Sequence, residues 1–381
     1  MKLLVLGRAQ DGLDHVAWCR QMGHEVRHVD PKAAGPDCVE DADDIVSFAD
    51  GAQQQAERLR IARGLPSRGL EAVGILTDKV LFKAHPAVRP HVVRHLEIDP
   101  EISKDAAASL VDVHMQFPVV VKPSNGFYSA GVIRAESPDE FKRAYVQARR
   151  ICTTLTERAS AAKVIVEQYL DGNEFAVDGF VLGTQVHPLL LHRKRPRLEG
   201  PTFHESAYLT ECFDAAQGAQ ALAMLEQIVA GVGLRDSAFH AEFRFDADGK
   251  LHVLEVAPRL AGGGATTQQL MSLCTGLDAY ACLHGLSRGS VDLTPTRRRV
   301  GLEYDFGPEA TGTLCNVAEI AAACEQRGAA RLIRYRADGD MVLGPPSNVE
   351  CILTAFFDCE SLRAGQALFD DISSNYRIKT K

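Results

Sequence analysis

Apolar residues at the start of the chain form first an unbroken run and then a helically spaced pattern. The run KLLVLG at residues 2–7 has the length of a buried strand, and GLDHVAWCRQMG at residues 12–23 is helical in pattern and ends at a glycine. HEVRHVD at residues 24–30 predicts a second strand. This strand–helix–strand start predicts a Rossmann-like unit to about residue 94. It lacks the GxGxxG pattern, so a dinucleotide site is unsupported and a purely structural α/β domain is favoured.

From about residue 95 to about residue 300 the pattern changes to strands joined by short turns. After about residue 300 a smaller mixed segment follows, with a predicted helix at VAEIAAACEQRG and a predicted strand at NVECILTAFF. The alternation predicts a fold of the α/β (α+β) class. The strand and hairpin segments are FPVVVKP, KVIVEQYL, EFAVDGFVL, QVHPLLLHRKR and the hairpin AFHAEFRFDADGKLHVLEVAPR.

The composition narrows the class of protein. The 381 residues are 46% hydrophobic and 24% charged, with a formal net charge of −8, which predicts two or three globular domains sharing a cleft. An acidic chain has no electrostatic reason to bind nucleic acid or an anionic membrane, so neither partner is expected. The opening apolar run is too short for a signal peptide, and the ten cysteines form no CxxC pair. We therefore expect a cytoplasmic protein with reduced thiols.

The predicted hairpin brings two carboxylates together. Asp248-Gly249 is a favourable two-residue turn that would pair Ala247 with Lys250, which places Glu242 directly opposite Glu255. Facing carboxylates repel each other unless a cation lies between them, and oxygen ligands favour Mg²⁺ or Mn²⁺. The alternative is that both side chains point into solvent. Apolar Leu251 and Val253 are expected on the Glu255 face, which argues against free solvation.

An arginine and three glycines follow the hairpin. Arg259 precedes the run Gly262–Gly264, and the predicted helix ATTQQLMSLC comes next. A glycine-rich helix start preceded by an arginine is a good site for an anion.

A second candidate anion site begins at Lys122, which ends an apolar strand. A lysine in that position needs water or an anion, and residues 124–131 offer hydroxyl and backbone N–H groups on a glycine-rich loop. A hairpin loop with a surface lysine is the alternative. Farther along, Glu167 begins the end of another apolar strand, where backbone groups could form hydrogen bonds with the edge of adenine. Glu174 could accept hydrogen bonds from the ribose hydroxyls. Exposed strand-end charges are the alternative for both glutamates.

Together these segments resemble the ATP-grasp superfamily of carboxylate–amine ligases. The resemblance covers about residues 75 to 285, and Asp78-Lys79 matches the pair that precedes the central domain in that family. The implied fold has a Rossmann-like N-terminal domain (1–94), an ATP-grasp domain (95–300) with a lid at about 120–190, and a mixed C-terminal lobe (301–381). The residues that carry the resemblance are PVVVKPSNGFYSAGV, VIVEQYLDGNEFAVDG and HAEFRFDADGKLHVLEVAPRLAGGG, in that order.

The resemblance implies roles for individual residues. Lys79 and Lys122 would contact the ATP phosphates, Arg193 and Lys194 could add further cations, and Arg259 would stabilise a phosphorylated intermediate. Glu242 and Glu255 would hold Mg²⁺ or Mn²⁺. Ala257 departs from the family, which usually has an asparagine there, so the second metal could be weaker or the protein a non-catalytic relative. The expected nucleotide-binding residues also include Ser124, Gly126, Ser129, Gly131, Glu167, Gln168, Tyr169, Leu170 and Glu174.

The expected activity is ATP-dependent amide formation through an acyl phosphate, with release of ADP and phosphate. Among family members the layout most resembles the L-amino acid ligases, and we expect a homodimer acting on a small-molecule carboxylate and an amine. His204, on a long polar loop with Glu205, is expected to position the amine, although a solvated loop is the alternative. The other activities considered are a biotin-carboxylase-like or purine-pathway enzyme, a kinase, and an ATP-binding protein without catalysis.

Overall fold

The computed structural model describes residues 1–7, 11–124, 129–154, 162–203, 205–344 and 351–381. Its α-helices are α1 (Leu13–Gln21), α2 (Asp50–Arg63), α3 (Leu70–Leu76), α4 (Lys79–Ala84), α5 (Lys104–His114), α6 (Pro138–Thr154), α7 (Ala219–Val232), α8 (Ala265–Thr275), α9 (Ala279–Ser287), α10 (Val317–Gln326) and α11 (Leu362–Asn375). Its strands are β1 (Lys2–Leu6), β2 (Glu25–Val29), β3 (Asp44–Ser47), β4 (His95–Ile98), β5 (Val119–Pro123), β6 (Ile133–Ala135), β7 (Val164–Gln168), β8 (Glu174–Leu182), β9 (Gln185–Arg195), β10 (Ala207–Cys212), β11 (Ser237–Phe245), β12 (Leu251–Ala257), β13 (Val300–Phe306), β14 (Gly312–Thr313), β15 (Ala329–Arg334), β16 (Met341–Val342) and β17 (Leu353–Cys359).

The N-terminal segment forms a parallel sheet in the order β2-β1-β3. Alternate side chains of β1 are covered from opposite sides, because Leu4 and Leu6 pack with α2 residues while Val5 packs with Val16 of α1. Burial on both faces explains why β1 reads as a continuous apolar run. The predicted strand, helix and second strand are all present.

A four-stranded antiparallel sheet in the order β4-β7-β5-β6 follows. One face packs on α5 and α6 through a cluster that includes Val119, Val121 and Val166. Residues on successive positions of a strand point to opposite faces. Lys122 and Glu167 therefore lie on the face that the helices leave uncovered.

An eight-stranded sheet in the order β12-β11-β8-β9-β10-β13-β17-β15 forms the body of the rest. One face is apolar, where Phe243 and Val253 pack on helices α3 and α7, and Leu302 and Phe357 pack on α10 and α11. Near its middle the opposite face carries charged and polar side chains, and we call this side the polar face. Its charged members are Glu174, Asp178, Lys194, His240, Glu242, Arg244, Glu255, Glu303 and Asp305.

The β11–β12 hairpin differs from the predicted turn but keeps the predicted pairing of carboxylates. Asp246, not Ala247, closes the loop, since its amide donates to the Lys250 carbonyl (2.9 Å). The strands then pair one residue out of the predicted register until a β-bulge at Leu254 restores it, so Glu242 lies opposite Glu255 as predicted.

The bulge corrects one expectation about the hairpin. Leu251 and Val253 were expected on the Glu255 face, but they pair with Phe245 and Phe243 and pack in the apolar cluster beneath the sheet. The Glu255 face is therefore more polar than the sequence pattern indicates.

Strand pairing divides the chain differently from the predicted domain limits. The four-stranded sheet begins with β4, which precedes the predicted lid at about 120–190. Strand β8 and the first part of β9 were assigned to the lid, but both strands pair within the eight-stranded sheet. Strands β13, β15 and β17 continue that same sheet beyond residue 300. The polar face therefore spans segments that are distant in sequence.

Candidate functional site

Each of the two facing glutamates contacts a lysine. Lys79 Nζ lies 3.0 Å from Glu255 Oε2, and Lys194 Nζ lies 3.2 Å from Glu242 Oε2. The glutamate side chains are only 28% and 24% exposed, so the alternative that both point into bulk solvent is wrong. Protein ammonium groups already offset part of the repulsion predicted from the hairpin.

Lys194 is enclosed by carboxylates. Its Nζ is 2.6 Å from Glu174 Oε1 and also forms an ion pair with Glu205. Burial opposes its charge, but the surrounding carboxylates raise the pKa of Lys194 well above its ordinary value. The oxygens of Glu174, Glu205 and Glu242 lie within 4.8 Å of one another. Three carboxylates therefore share one buried ammonium.

His240 connects Glu242 to a buried aspartate. Its Nδ1 is 2.5 Å from Asp178 Oδ1, and its Nε2 is 3.2 Å from Glu242 Oε1. Burial would lower the pKa of His240, but Asp178 and Glu242 raise it to about 10. The imidazolium thus donates to both carboxylates at neutral pH. It also orients Glu242, because Asp178 is itself held by the Thr267 hydroxyl at 2.5 Å.

Two lysines meet one glutamate in the smaller sheet. Glu167 Oε1 is 2.7 Å from Lys122 Nζ and 2.5 Å from Lys83 Nζ. Burial opposes ionisation, yet the two ammonium groups lower the pKa of Glu167 to about 2. Glu167 is therefore a buried ion-pair partner, and the alternative of an exposed strand-end charge is wrong for it. The group keeps one excess positive charge on the face that the helices leave open.

Helix α4 carries lysines toward both sheets. Lys79 and Lys83 are one turn apart and share a face of the helix, which begins at its N-cap Asp78. Lys79 contacts Glu255 of the eight-stranded sheet, whereas Lys83 contacts Glu167 of the smaller one. The predicted Asp78-Lys79 pair thus begins the helix that spans the gap between the sheets.

The loop after Lys122 is described only at its two ends. Ser124 is buried, and its hydroxyl accepts from the Lys163 amide at 3.0 Å. Ser129 and Gly131 have left-handed backbone conformations, with φ of 52° and 75°. A side chain at Gly131 would also collide with Ile151, whose Cδ1 would be 2.4 Å from the added Cβ. Gly126 lies outside the described residues.

The segment expected to hold adenine is partly occupied by its own sheet. The amides of Gln168 and Tyr169 donate to the carbonyls of Arg94 and Pro118, at 3.0 and 3.3 Å. Among the described residues, the Leu170 amide has no such partner. If this segment binds adenine, the backbone groups around Leu170 are therefore the ones expected to do so.

Glu174, expected at the ribose, is already paired. It contacts Lys194 and also Arg244, whose Nη1 lies 3.1 Å from Glu174 Oε2. Its side chain is only 8% exposed, so the alternative of a solvated strand-end charge is wrong here too. The same guanidinium donates to the Tyr169 hydroxyl at 3.1 Å, which ties Glu174 to the strand end of the smaller sheet.

Arg259 is held by the N-terminal unit. Its Nε and Nη2 donate to the two carboxylate oxygens of Asp50 at 2.5 and 2.8 Å. Asp50 is the first residue of α2, and Gly262–Gly264 form a 3-10 turn just beyond Arg259, at the start of α8. A bidentate ion pair fixes the guanidinium plane.

One predicted site residue, Arg193, is not brought to this cluster. Arg193 lies on the apolar face, opposite in direction to Lys194, and pairs with Glu211 of β10. The expectation that it supplies a cation beside Lys194 failed because successive strand residues alternate in direction. His204 lies outside the described residues, whereas its neighbour Glu205 contacts Lys194 and accepts from the Tyr208 hydroxyl at 2.5 Å.

Two further acids on the polar face were missed in the sequence. Glu303 accepts from the Thr266 hydroxyl at 2.6 Å, and Asp305 accepts from Thr354 at 2.5 Å. Burial and neighbouring carboxylates raise the pKa of Glu303 well above its ordinary value, and burial raises that of Asp305 to about 6. Their alternation along GLEYDF was a usable signal, but nothing in the sequence places β13 beside β10.

Comparison with known proteins identifies the domain that carries these residues. Residues 115–268 match the family model of the ATP-grasp domain. The chain contains an ATP-grasp domain. Its match includes Lys122, Glu167, Lys194, Glu242 and Glu255, and the motif-based resemblance to the ATP-grasp superfamily is confirmed.

Known relatives of the ATP-grasp chain are similar in fold more than in sequence. The ATP-grasp enzyme fsqD of Aspergillus fumigatus is 26% identical over 144 residues, which is 38% of this chain and 23% of that protein. The L-amino acid ligase from Bacillus licheniformis has a TM-score of 0.82 at 18% identity, covering 100% of this chain and 98% of that one. A carboxyaminoimidazole ribonucleotide synthase from Aspergillus clavatus, solved with ATP, has a TM-score of 0.74 at 13% identity, covering 98% and 97%. The predicted ATP-grasp fold is confirmed.

Proposed function

We propose that this protein is an ATP-dependent carbon–nitrogen ligase that joins a carboxylate to an amine through an acyl phosphate, releasing ADP and phosphate. The observation that supports this most directly is the placement of Glu242 opposite Glu255, with Lys79 and Lys194 beside them. Phosphoryl transfer needs carboxylates to hold metal ions and ammonium groups to offset the moving negative charge. Both kinds of group converge on the polar face.

Glu242 and Glu255 would hold Mg²⁺ or Mn²⁺. Carboxylate oxygens fit such hard cations, which when bound polarise the phosphate oxygens. Glu174 and Glu205 add oxygens within 4.8 Å of those of Glu242. Ala257, where the family has an asparagine, lies opposite His240 in the ladder. The protein around the metal would therefore contribute an imidazolium to Glu242 and no amide from that position.

The phosphates would lie between the two sheets. Lys79 and Lys122 would contact them, and the segment from Ser124 to Gly131 would cover them and exclude water. Backbone groups around Leu170 would form hydrogen bonds with the edge of adenine, and Glu174 would accept hydrogen bonds from the ribose hydroxyls. Because Lys122 and Lys83 share Glu167 as their carboxylate partner among the described residues, their excess positive charge would attract a phosphate.

Arg259 would stabilise the oxyanion that forms when the amine attacks the acyl phosphate. The amine nitrogen forms the new bond to the acyl carbon, and the bond from that carbon to the phosphate oxygen breaks, so that inorganic phosphate leaves. The attacking nitrogen loses a proton. A guanidinium held in place by Asp50 needs little rearrangement as that charge develops. His204 remains a candidate for positioning the amine.

Amino acids are the proposed substrates. The overall likeness to an L-amino acid ligase along both chains supports that choice. We further propose a cytoplasmic homodimer. Among the described residues no helix is long and apolar enough to cross a membrane.

An ADP-release screen tests the proposal. The full chain is incubated with ATP and Mg²⁺ and supplied with amino acids singly and in pairs, and coupled ADP formation is measured. We expect one or more pairs to raise ADP release and to yield an amide detectable by mass spectrometry. Release that never depends on an added acid and amine would contradict the proposal.

A paired substitution tests the role of the metal carboxylates. We expect Glu255→Gln to reduce substrate-dependent turnover by about a hundred-fold or more, because a neutral amide holds a divalent cation poorly. Glu211→Gln is the matched control, since Glu211 lies on the apolar face of the same sheet and pairs with Arg193. Equal activity in the two variants would remove Glu255 from the mechanism.

A further inference from the structure

A second group of ligand-type side chains lies away from the polar face, between the N-terminal unit and α9. His15 and Cys19 are one turn apart on α1, and His284 comes from α9. The two Nε2 atoms are 2.8 Å apart, and Cys19 Sγ is 3.5 Å from His15 Nε2. One ligand atom from each residue lies within 4.8 Å of the others. All three side chains are buried, with residue exposures of at most 1%.

A carboxylate fixes the tautomer of His284. Its Nδ1 is 2.6 Å from Asp44 Oδ2, and Ser287 donates to the other carboxylate oxygen at 2.8 Å. Arg60 also forms an ion pair with this carboxylate. The ionised carboxylate holds the proton on Nδ1, so the Nε2 lone pair points toward His15. This is the carboxylate–histidine arrangement found behind metal-bound imidazoles.

The other two residues present the right atoms in a dry setting. The His15 imidazole and the Cys19 thiol are both completely buried. Trp18, Phe48 and Tyr280 surround the imidazole, with ring centroids 4.8 to 5.9 Å from that of His15. An aromatic enclosure excludes water as an additional ligand.

We infer that His15, Cys19 and His284 form a site for one soft metal ion of the class represented by Cu(I). Two imidazole nitrogens and one thiolate suit a three-coordinate soft cation. Structural zinc sites almost always have four ligands, and the described residues supply a group of three here.

Charge also favours a monovalent ion. The carboxylate of Asp44 is balanced by the buried guanidinium of Arg60, with which it forms an ion pair. A Cys19 thiolate bound to Cu(I) adds no net charge to the interior, whereas Zn²⁺ would leave one uncompensated positive charge. The nearby ion pair between Glu57 and Arg68 is likewise neutral.

Binding would replace a shared proton by the metal. Without an ion, one Nε2–H joins the two imidazoles, and the Cys19 side chain lies beside them as a buried thiol. With bonds of about 2 Å, trigonal ligands place the two nitrogens about 3.5 Å apart, so the rings must separate slightly. The proton on His15 Nε2 moves to its Nδ1, and the thiol proton is released to solvent. The bound ion would then connect α1 to α9.

Anaerobic titration of the full chain with Cu(I), in competition with a chromogenic Cu(I) chelator, tests the site. We expect one retained Cu(I) per chain, a raised melting temperature and an X-ray absorption spectrum with one sulfur and two nitrogen neighbours. Zn²⁺ offered alone should not be retained. No retained Cu(I), retention of Zn²⁺ only, or a spectrum without sulfur would overturn the assignment.

Substitutions locate the ion. Cys19→Ser and His284→Gln should abolish stoichiometric retention, while Asp44→Asn should weaken Cu(I) affinity by about 10- to 100-fold through the lost support of His284. Cys282→Ser is the matched control, because Cys282 is also a buried thiol on α9 and should leave retention unchanged. Circular dichroism verifies that each variant is folded. If a variant unfolds, the X-ray absorption spectrum of the unsubstituted chain with Cu(I) still shows whether sulfur and nitrogen ligands hold the ion. Unchanged retention in a folded Cys19→Ser variant would refute the site.

Discussion

The buried charges around Asp44 and those around Lys194 show two different uses of ion pairs. At Asp44, one carboxylate is met by one guanidinium, a histidine and a hydroxyl, and all of these partners come from the protein. At Lys194, one ammonium is shared by Glu174, Glu205 and Glu242. The first group is balanced. In the second, Arg244 also pairs with Glu174, and His240 pairs with Glu242 but is shared with Asp178, so the carboxylates still outnumber their cations.

The pKa shifts record this difference. Asp44 is almost fully buried, yet its protein partners lower its pKa to about 2. Among the carboxylates around Lys194, burial and neighbouring carboxylates raise the pKa of Glu205, whereas Lys194 and His240 lower that of Glu242 against the effect of burial. Burial and neighbouring carboxylates also raise the pKa of Glu303. A charge cluster that is balanced holds a fold together, and one left unbalanced is prepared for a ligand.

Removing the central ammonium should give the largest effect on stability. Lys194→Met leaves three carboxylates together without their shared cation, which should lower the free energy of unfolding by about 3–5 kcal/mol at neutral pH. Urea denaturation measures the change, and the deficit should shrink toward pH 5 as the carboxylates take up protons. Lys250→Met, in the exposed hairpin loop, is the control. A loss no larger than that of the control would mean that the cluster is not held by Lys194.

Acidification should distinguish the balanced cluster. The pKa of Asp44 is lowered from 3.8 to about 2 by folding, so its stabilisation is complete above the unfolded value and is lost as the pH falls from about 4 to about 2. The shift corresponds to about 2 kcal/mol. Unfolding free energies of the unsubstituted chain and Asp44→Asn between pH 2 and 6 should therefore converge at low pH. Asp248→Asn, on the exposed loop, should run parallel to the unsubstituted chain instead, and parallel curves for Asp44→Asn would contradict the assignment.

The sequence predicts pairings along the chain better than contacts between distant segments. Glu242 opposite Glu255 follows from strand alternation, although the predicted register was recovered only because a bulge at Leu254 compensates for a longer loop. Lys122 was found because a lysine ending an apolar strand is conspicuous. Within a single segment, the alternation and periodicity of apolar residues are enough to predict such pairings and side-chain directions.

Residues whose roles depend on packing were missed. Lys83 reads as one more lysine on a short helix until α4 is placed against Glu167. Asp50 contacts Arg259 across 209 positions of sequence. Arg193 was misplaced because both it and Lys194 are basic residues at a strand end, and only the register with β8 shows which one joins Glu174. Strand order and helix docking are tertiary properties, and one sequence without its fold does not contain them explicitly.

The smallest expected change in stability, at Lys83, separates binding from folding most cleanly. Burial and repulsion from Lys122 outweigh the attraction of Glu167 and lower the pKa of Lys83 from 10.5 to about 8. Its charge therefore costs stability below pH 8, and that cost disappears as the pH rises through the unfolded value.

Lys83→Met leaves Glu167 paired with Lys122, so the free energy of unfolding should change by less than about 1 kcal/mol at pH 7. The excess positive charge facing the proposed phosphates is lost, however, and ATP should bind about 3- to 10-fold more weakly by isothermal titration calorimetry. Lys163→Met, which removes a more exposed lysine paired with Asp99 just before β7, should leave ATP affinity unchanged. Equal ATP affinity in the two variants would show that Lys83 serves only to hold Glu167, and the smaller sheet would then belong with the balanced cluster at Asp44.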